Sequence, residues 1–318
     1  MTDIKKDYFR RKVLYMSFDL YLAATNVKTE NDIIIKRDCN VLFSQINERK
    51  TINKFLELMS NNKVFIDSGA YSAWSKNKHI DVDDYIKFIN ENTSKFTLFA
   101  SVDDIPGELK RKPTLLELQE SPVKSWHNYL YMRERVKEPN KLLPVFHIGE
   151  DFRHLQNMLD TTFDGEHIPY IGLGGTVGLS NIVKENWYKQ CFKIIQQSNN
   201  PNVKVHAFGM SNFKILETYP FTSADSTSWL MAALNGEIIT KYAQVSMSSR
   251  TRDKHDGYNR MSALLQQHIQ EQCSKYGITV EQLMEDQQSR QLYNINYFKD
   301  WADNYKYKGN NRYQKRLF

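Results

Sequence analysis

Short apolar runs that end in a polar or glycine residue recur along this chain, and that recurrence limits its fold more than any other feature. The clearest is Val64-Phe65-Ile66-Asp67-Ser68-Gly69-Ala70-Tyr71-Ser72-Ala73-Trp74. Three apolar residues lead into a carboxylate, and Ser68-Gly69 then turns the chain, which predicts a buried strand with Asp67 at the rim of a sheet. Similar endings close Phe99-Ala100-Ser101-Val102-Asp103-Asp104, Val145-Phe146-His147, Tyr170-Ile171-Gly172-Leu173-Gly174-Gly175, Val205-His206-Ala207-Phe208-Gly209 and Phe221-Thr222-Ser223-Ala224-Asp225. Strand ends converging on one polar face are how a parallel β/α barrel builds an active site.

Helical spacing fills the intervals. Phe55 and Leu56 follow Ile52, and Asp81 is placed to cap a helix carrying Val82, Tyr85, Ile86 and Ile89. Ser121-Pro122 resembles an N-cap followed by proline at the first helical position, predicting a helix through about Val136. Phe152, Leu155 and Leu159 mark another, Trp187, Cys191, Ile194 and Ile195 a third, and residues 213–216 a short fourth. Residues 12–18 read as the first strand, 27–48 as mixed loop and helix, 142–148 as one strand, and 244–248 as a last strand. Strand-then-helix order implies a parallel sheet, and the number of units favours closure. The expected fold is therefore a (β/α)8 TIM-like barrel over residues 1–250. A helical extension follows over 251–318, with helices near 264–273 and 280–286 separated by Gly277.

The extension ends in Tyr305-Lys306-Tyr307-Lys308-Gly309-Asn310-Asn311-Arg312-Tyr313-Gln314-Lys315-Arg316. Interleaved basic and aromatic residues suit phosphate neutralisation and base stacking; a solvated, frayed tail is the other reading. The net charge of +6 over 318 residues is compatible with a polyanionic partner without requiring one. Three scattered cysteines, Cys39, Cys191 and Cys273, suggest reduced thiols. With no signal-peptide pattern at the start and no membrane-length apolar run, the expected location is cytoplasmic.

Gly172-Leu173-Gly174-Gly175-Thr176-Val177-Gly178 fails the dinucleotide-binding fingerprint, because Val177 occupies the place of its third glycine. A glycine-rich strand end instead exposes backbone groups to a planar ligand. His147, His206, Asp67 and Asp225 all fall at strand ends, but no His-x-His or His-Glu-x-x-His pair supplies adjacent ligands, so no metal is expected. What remains is carboxylates: Asp67, Asp103 with Asp104, and Asp225. Two carboxylates in different environments can divide labour, one as nucleophile and one trading a proton. Bond cleavage at an anomeric carbon favours such a pair. Ser223, Ser226 and Ser228 are expected to hydrogen-bond Asp225 and keep it ionised.

Phe65-Ile66-Asp67-Ser68-Gly69-Ala70-Tyr71 resembles the Asp-Ser-Gly-Gly-Phe signature of the tRNA-guanine transglycosylase superfamily. Tyr170 to Gly175, Val205 to Gly209 and Ser223-Ala224-Asp225-Ser226-Thr227-Ser228-Trp229 follow in that family's order. The last segment and Pro144-Val145-Phe146-His147-Ile148-Gly149-Glu150 look most like the 7-deazaguanine DNA transglycosylases of phages and bacterial modification islands. The resemblance spans about residues 10 to 250. It implies that Asp225 attacks C1′ of the target nucleotide and that Asp67 binds the base and exchanges its proton. Asp103, with Asp104 as its alternative, would read the guanine-like N–H face. Gly174 and Gly175 would offer backbone contacts, and His147 stands where the tRNA enzymes use glutamine. Ser68, Gly69 and His206 complete the expected binding set, and Tyr71, Trp74 and Trp229 are candidates for holding the strand open. The family's Cys-x-Cys-x-x-Cys and His zinc site has no counterpart here, so neither zinc nor another cofactor is expected.

The partners implied are DNA at deoxyguanosine sites and a 7-deazaguanine base such as 7-cyano-7-deazaguanine (preQ0), with no membrane; a homodimer stays open. Other readings are an RNA-directed transglycosylase, a binding barrel without catalysis, and a barrel hydrolase.

Overall fold

The computed structural model describes residues 18–59, 61–108 and 111–309. Its centre is a parallel sheet of nine strand segments. In chain order these are β1 (Asp19–Ala23), β2 (Asn40–Ser44), β3 (Val64–Asp67), β4 (Leu98–Ala100), β5 (Leu142–Leu143), β6 (Val145–His147), β9 (Tyr170–Gly174), β10 (Lys204–Ala207) and β11 (Ser223–Ser226). Two further segments, β7 (Thr162–Phe163) and β8 (Glu166–His167), form a separate antiparallel hairpin. The order across the main sheet is β5-β4-β3-β2-β1-β11-β10-β9-β6. Its two edge segments are consecutive in the chain, parted only by Pro144, so the sheet curls back on itself into a nearly closed barrel. Proline has no N–H to give a ladder. The Pro144 carbonyl still accepts from Gly172 N–H at 2.8 Å, and there the chain passes from a β4 neighbour to a β9 neighbour.

Helices alternate with these strands: α1 (Lys28–Lys36), α2 (Arg49–Leu58), α3 (Ala70–Ser75), α4 (Val82–Asn92), α5 (Leu115–Arg133), α6 (Phe152–Asp160), α7 (Asn181–Gln197), α8 (Phe213–Thr218) and α9 (Ser228–Leu234). Strand alternation sorts the core into two layers. Val41, Phe43, Val64, Ile66, Phe99, Phe146, Ile171, Leu173, Val205, Ala207 and Ala224 face the helices. Tyr21, Leu42, Phe65, Leu98, Ala100, Leu143, Val145 and Tyr170 fill the barrel, with Phe208 against them. Each inward apolar position on β3 and β6 is followed two residues later by a polar one, Phe65 by Asp67 and Val145 by His147. The filled barrel thus gives way to a polar mouth.

Several expectations need correction. Residues 12–17 lie outside the described residues, and the first described strand is Asp19–Ala23. The 27–48 stretch contains β2 as well as α1. Helix α5 begins at Leu115, not at Ser121. Thr114 and Glu117 form a reciprocal capping box there, and Pro122 lies inside the helix. The expected strand at 142–148 is the broken pair β5 and β6. Gln244–Ser246 (β13) leaves the barrel and pairs antiparallel with β12 (Glu237–Ile239).

The last helices among the described residues are α10 (Ala263–Tyr276), α11 (Val280–Glu285) and α12 (Gln287–Asp303), the last not foreseen. Gly277, in the left-handed region at φ 69°, closes α10. Helix α12 is fastened to the sheet-bearing part by buried polar side chains. Asn294 accepts from Ile239 N–H at 2.8 Å and donates to the Trp229 carbonyl at 3.0 Å. The Arg290 guanidinium donates to the carbonyls of Ala233 and Leu283. No helix among the described residues is long and apolar enough to cross a membrane.

Candidate active site

Asp225 lies on β11, and alternation places it on the same face as Ser223. The sheet register sets Ser223 beside His206 of β10. His206 is fully buried with both ring nitrogens engaged: Nδ1 lies 2.6 Å from Ser223 Oγ and Nε2 lies 3.1 Å from Asp225 Oδ1. Gly209 N–H donates to the same Oδ1 at 2.9 Å. Ser223 Oγ is also 2.8 Å from the Tyr170 hydroxyl. With Asp225 as a carboxylate and a neutral His206 ring, the contacts run in one direction. Nε2–H donates to Asp225, Ser223 donates to Nδ1, and Tyr170 donates to Ser223. One carboxylate oxygen is thereby fixed by two donors.

The residues holding Asp225 differ from those expected. Ser223 reaches it only through His206. Ser226 donates to Ser228, and Ser228 is 2.8 Å from Ser211 Oγ, so neither serine serves the carboxylate. His206 itself contacts Asp225 instead of lining a ligand space. Its ring lies edge-on to Phe65 and Phe208, with centroids 4.7 and 4.5 Å away.

Asp67 ends β3, and its Oδ2 accepts from Gly69 N–H at 2.9 Å. Gly69 sits at φ 74°, and a Cβ there would come within 2.7 Å of Ser44 Oγ, so both backbone and space call for glycine. Ser68 is buried, with its hydroxyl 3.4 Å from Ala70 N at the start of α3. Burial lifts Asp67 to about 7, and the charges of Asp103 and Asp225 push the same way against the Gly69 hydrogen bond. Asp67 therefore exchanges its proton close to neutrality, beside two other carboxylates.

Asp103 follows β4 and lies 3.4 Å, through Oδ2, from Nε2 of His147. Its Oδ1 is buried without a hydrogen-bond partner. Burial raises Asp103, and His147 opposes that rise. The other His147 nitrogen, Nδ1, lies 3.0 Å from Glu150 Oε1. Burial alone would lower the imidazole, but Asp103 and Glu150 outweigh it and carry His147 to about 10. Asp104 points elsewhere: it accepts from Ser121 Oγ at 2.8 Å, and its N–H donates to Ser125 Oγ, tying the loop to α5.

On β9, a Cβ at Gly174 would stand 3.0 Å from His147 Cδ2, and Gly175 takes φ 79°. Gly174 lets the His147 ring lie against the strand end. Tyr71 is 71% exposed, with its ring centroid 5.8 Å from that of Trp74, whose indole N–H donates to the Gly107 carbonyl. Trp229, by contrast, is wholly buried and donates to the Ala23 carbonyl, so it belongs to the core.

The structure thus gathers Asp67, Asp103, His147, Gly174, His206 and Asp225 at one end of the sheet and leaves Asp104 and Trp229 out. Glu150, Tyr170, Phe208 and Gly209 were not singled out as site residues from sequence. For Glu150 a signal existed, because His147-Ile148-Gly149-Glu150 has a glycine, at φ 98°, that lets the acid turn back on the histidine. The other three needed the sheet register. The three cysteines are buried free thiols. No cluster of His, Cys, Asp and Glu among the described residues is arranged to hold a metal ion. A protein-family search matches no family model to this chain, and no curated protein matches it either.

Proposed function

We propose that this chain is a base-exchange transglycosylase on a (β/α)8 TIM-like barrel, replacing guanine in DNA with a 7-deazaguanine such as preQ0. The observation that carries the reading is the unequal treatment of two carboxylates at one barrel mouth. Asp225 is pinned by His206 and Gly209, whereas burial raises Asp67 to about 7, where it can both give and take a proton near neutrality. A positioned nucleophile beside a proton-holding acid suits displacement at an anomeric carbon.

On this reading an Asp225 oxygen attacks C1′ as the C1′–N9 bond breaks, and Asp67 gives its proton to the departing guanine. The product is a glycosyl ester on Asp225. The incoming 7-deazaguanine then attacks the same carbon, its N9 proton returning to Asp67, and the ester carboxylate is released. Asp103 Oδ1, buried and unpartnered, fits an acceptor for base N–H groups. The target base must leave the stack for C1′ to be reached, which costs a few kcal/mol. Tyr71, exposed on α3 shortly after Asp67, is assigned the covering of an extruded nucleotide on this reading.

The test is to incubate the protein with guanine-containing DNA and a 7-deazaguanine, quench in denaturant, and map any protein–DNA adduct. An adduct at Asp225 that is absent in Asp225→Asn supports the reading, together with deazaguanine in digested DNA. Modification of co-expressed tRNA instead of DNA would redirect it to RNA. Absence of base exchange on both would overturn it.

A further inference from the structure

Glu150 stands at the mouth of the barrel without a part in the displacement itself. Gly149 turns the chain, Glu150 N–H donates to the His147 carbonyl at 3.2 Å, and the Glu150 carboxylate reaches back to His147 Nδ1 at 3.0 Å. The opposite ring nitrogen faces Asp103 at 3.4 Å. His147 is thus clamped between two carboxylates contributed from either side of it. Gly174 leaves room for the ring, since a Cβ there would press on Cδ2 and Nε2 at 3.0 and 3.3 Å.

We propose that Glu150 is a positioning residue: by accepting from Nδ1 it keeps His147 a donor on both sides. It thereby keeps Asp103 an acceptor whose free Oδ1 faces the N–H edge of a guanine-type base. The proposal deepens the transglycosylase reading and rests on it for the identity of the ligand. Its physical need is visible in the contrast with Asp67. That carboxyl occupies the same mouth without a cation beside it, and burial lifts it to about 7. Asp103 would follow, and a protonated carboxyl offers a donor where the base also presents donors. The charges facing this pair are Asp103 and Glu150 on the imidazole, His147 and Glu150 on Asp103, and Asp67, which feels the Asp103 charge across the mouth. On Asp103 the direct push of Glu150 is smaller than the pull of His147 and runs opposite to its effect through His147.

Two measurements on Glu150→Gln test this. The first is the histidine NMR titration of His147, identified by its disappearance in His147→Gln. In the wild type the ring should remain imidazolium beyond pH 8, and in Glu150→Gln its midpoint should fall by about one unit or more, with Glu150→Asp between them. The second is affinity for 7-deazaguanine against 7-deazaadenine, which lacks the ring N1–H. Glu150→Gln should lose about tenfold or more of that preference while retaining its melting temperature within a few degrees. An unshifted His147 midpoint, or an unchanged base preference, overturns the role given to Glu150. If the wild type binds neither base, the functional reading falls, and the titration alone still decides whether Glu150 holds His147 charged.

Discussion

His206 Nε2 lies 3.1 Å from Asp225 Oδ1, deep enough in the barrel that the imidazole is wholly out of solvent. The contact restricts the carboxylate to one rotamer and spends one of its oxygens, leaving the other for chemistry. His206→Phe keeps a ring between Phe65 and Phe208 but removes the donor and leaves Ser223 without its acceptor. A hydrogen bond to a charged group contributes about 1.5–3 kcal/mol. On the proposed reaction, adduct formation should therefore slow by roughly tenfold to a hundredfold. Quench-flow measurement of the adduct checks this, and an unchanged rate would mean that Gly209 alone suffices to hold Asp225.

Asp67 makes stability depend on pH in an unusual direction for a carboxyl. Its value of about 7 in the fold exceeds the ordinary carboxyl value of about 4. Between these values the folded chain holds a proton that the unfolded chain has released. The associated stability is present at low pH and lost as pH rises through about 7. Asp67→Asn stays neutral and escapes that loss. Melting temperatures from about pH 5 to pH 8.5 should show the variant gaining on the wild type up to about pH 7 and levelling off above it. A constant offset would show that Asp67 is already ionised in the fold.

His147 shifts in the same direction, over a higher pH window. Lifted to about 10 from an ordinary histidine value of about 6.5, it contributes stability that is complete below the lower value and lost through the higher. Against His147→Gln, the wild type should keep its advantage up to about pH 6.5 and surrender it progressively toward pH 10. Chemical denaturation across that range reads it directly. A difference that does not change with pH would place the imidazole neutral.

Most strands were legible because apolar runs ended abruptly at Asp67, His147 or Asp225, and a barrel mouth is where such endings fall. Strand β2 was not. Its Val41-Leu42-Phe43 follows Ile33-Ile34-Ile35 with no glycine or proline between, so the helical and extended periods blur. The start of α5 was misplaced because Leu115 and Leu116 are exposed and break the apolar stripe, while Thr114 and Glu117 carried the true signal. The Asp225 carboxylate was visible in sequence, but its holder was not. Adjacent serines were the local candidates, and only the alignment of β10 with β11 brings His206 to it. Pairing between distant strands leaves no mark on either strand alone.

Gly172 lies below the site and allows a close approach that supports it. A Cβ there would stand 2.4 Å from Phe208 Cε2 and 3.1 Å from Leu143 Cδ1. Phe208 cannot move away without disturbing His206, whose ring it flanks. Gly172→Ala should destabilise the fold by about 1–3 kcal/mol, as overpacking does, and slow adduct formation as well. Urea denaturation of this variant beside Gly178→Ala, where a Cβ meets nothing within 4 Å, separates crowding from backbone strain. A negligible loss in Gly172→Ala would mean that Phe208 yields freely.

The last prediction concerns the basic-aromatic end, whose residues 310–318 lie outside the described residues. The part before them is packed. Tyr305 stacks on Phe18 with centroids 4.5 Å apart and donates to the Leu216 carbonyl, and Lys308 pairs with Glu217. Cutting at Tyr305 would therefore damage the fold along with any DNA contact, and the informative cut falls after Gly309. It removes Arg312, Lys315 and Arg316 together with Tyr313. If those cations neutralise phosphates, each contributes about 0.9 to the slope of log affinity against log salt. The truncated chain should bind DNA more weakly at low salt, with a slope shallower by about 2 to 3. Its affinity should converge with that of the full chain as salt rises, and its melting temperature should be unchanged. Superimposable salt series for the two chains would show that the tail stays off the DNA, and the phosphate contacts would then have to be sought around the barrel mouth.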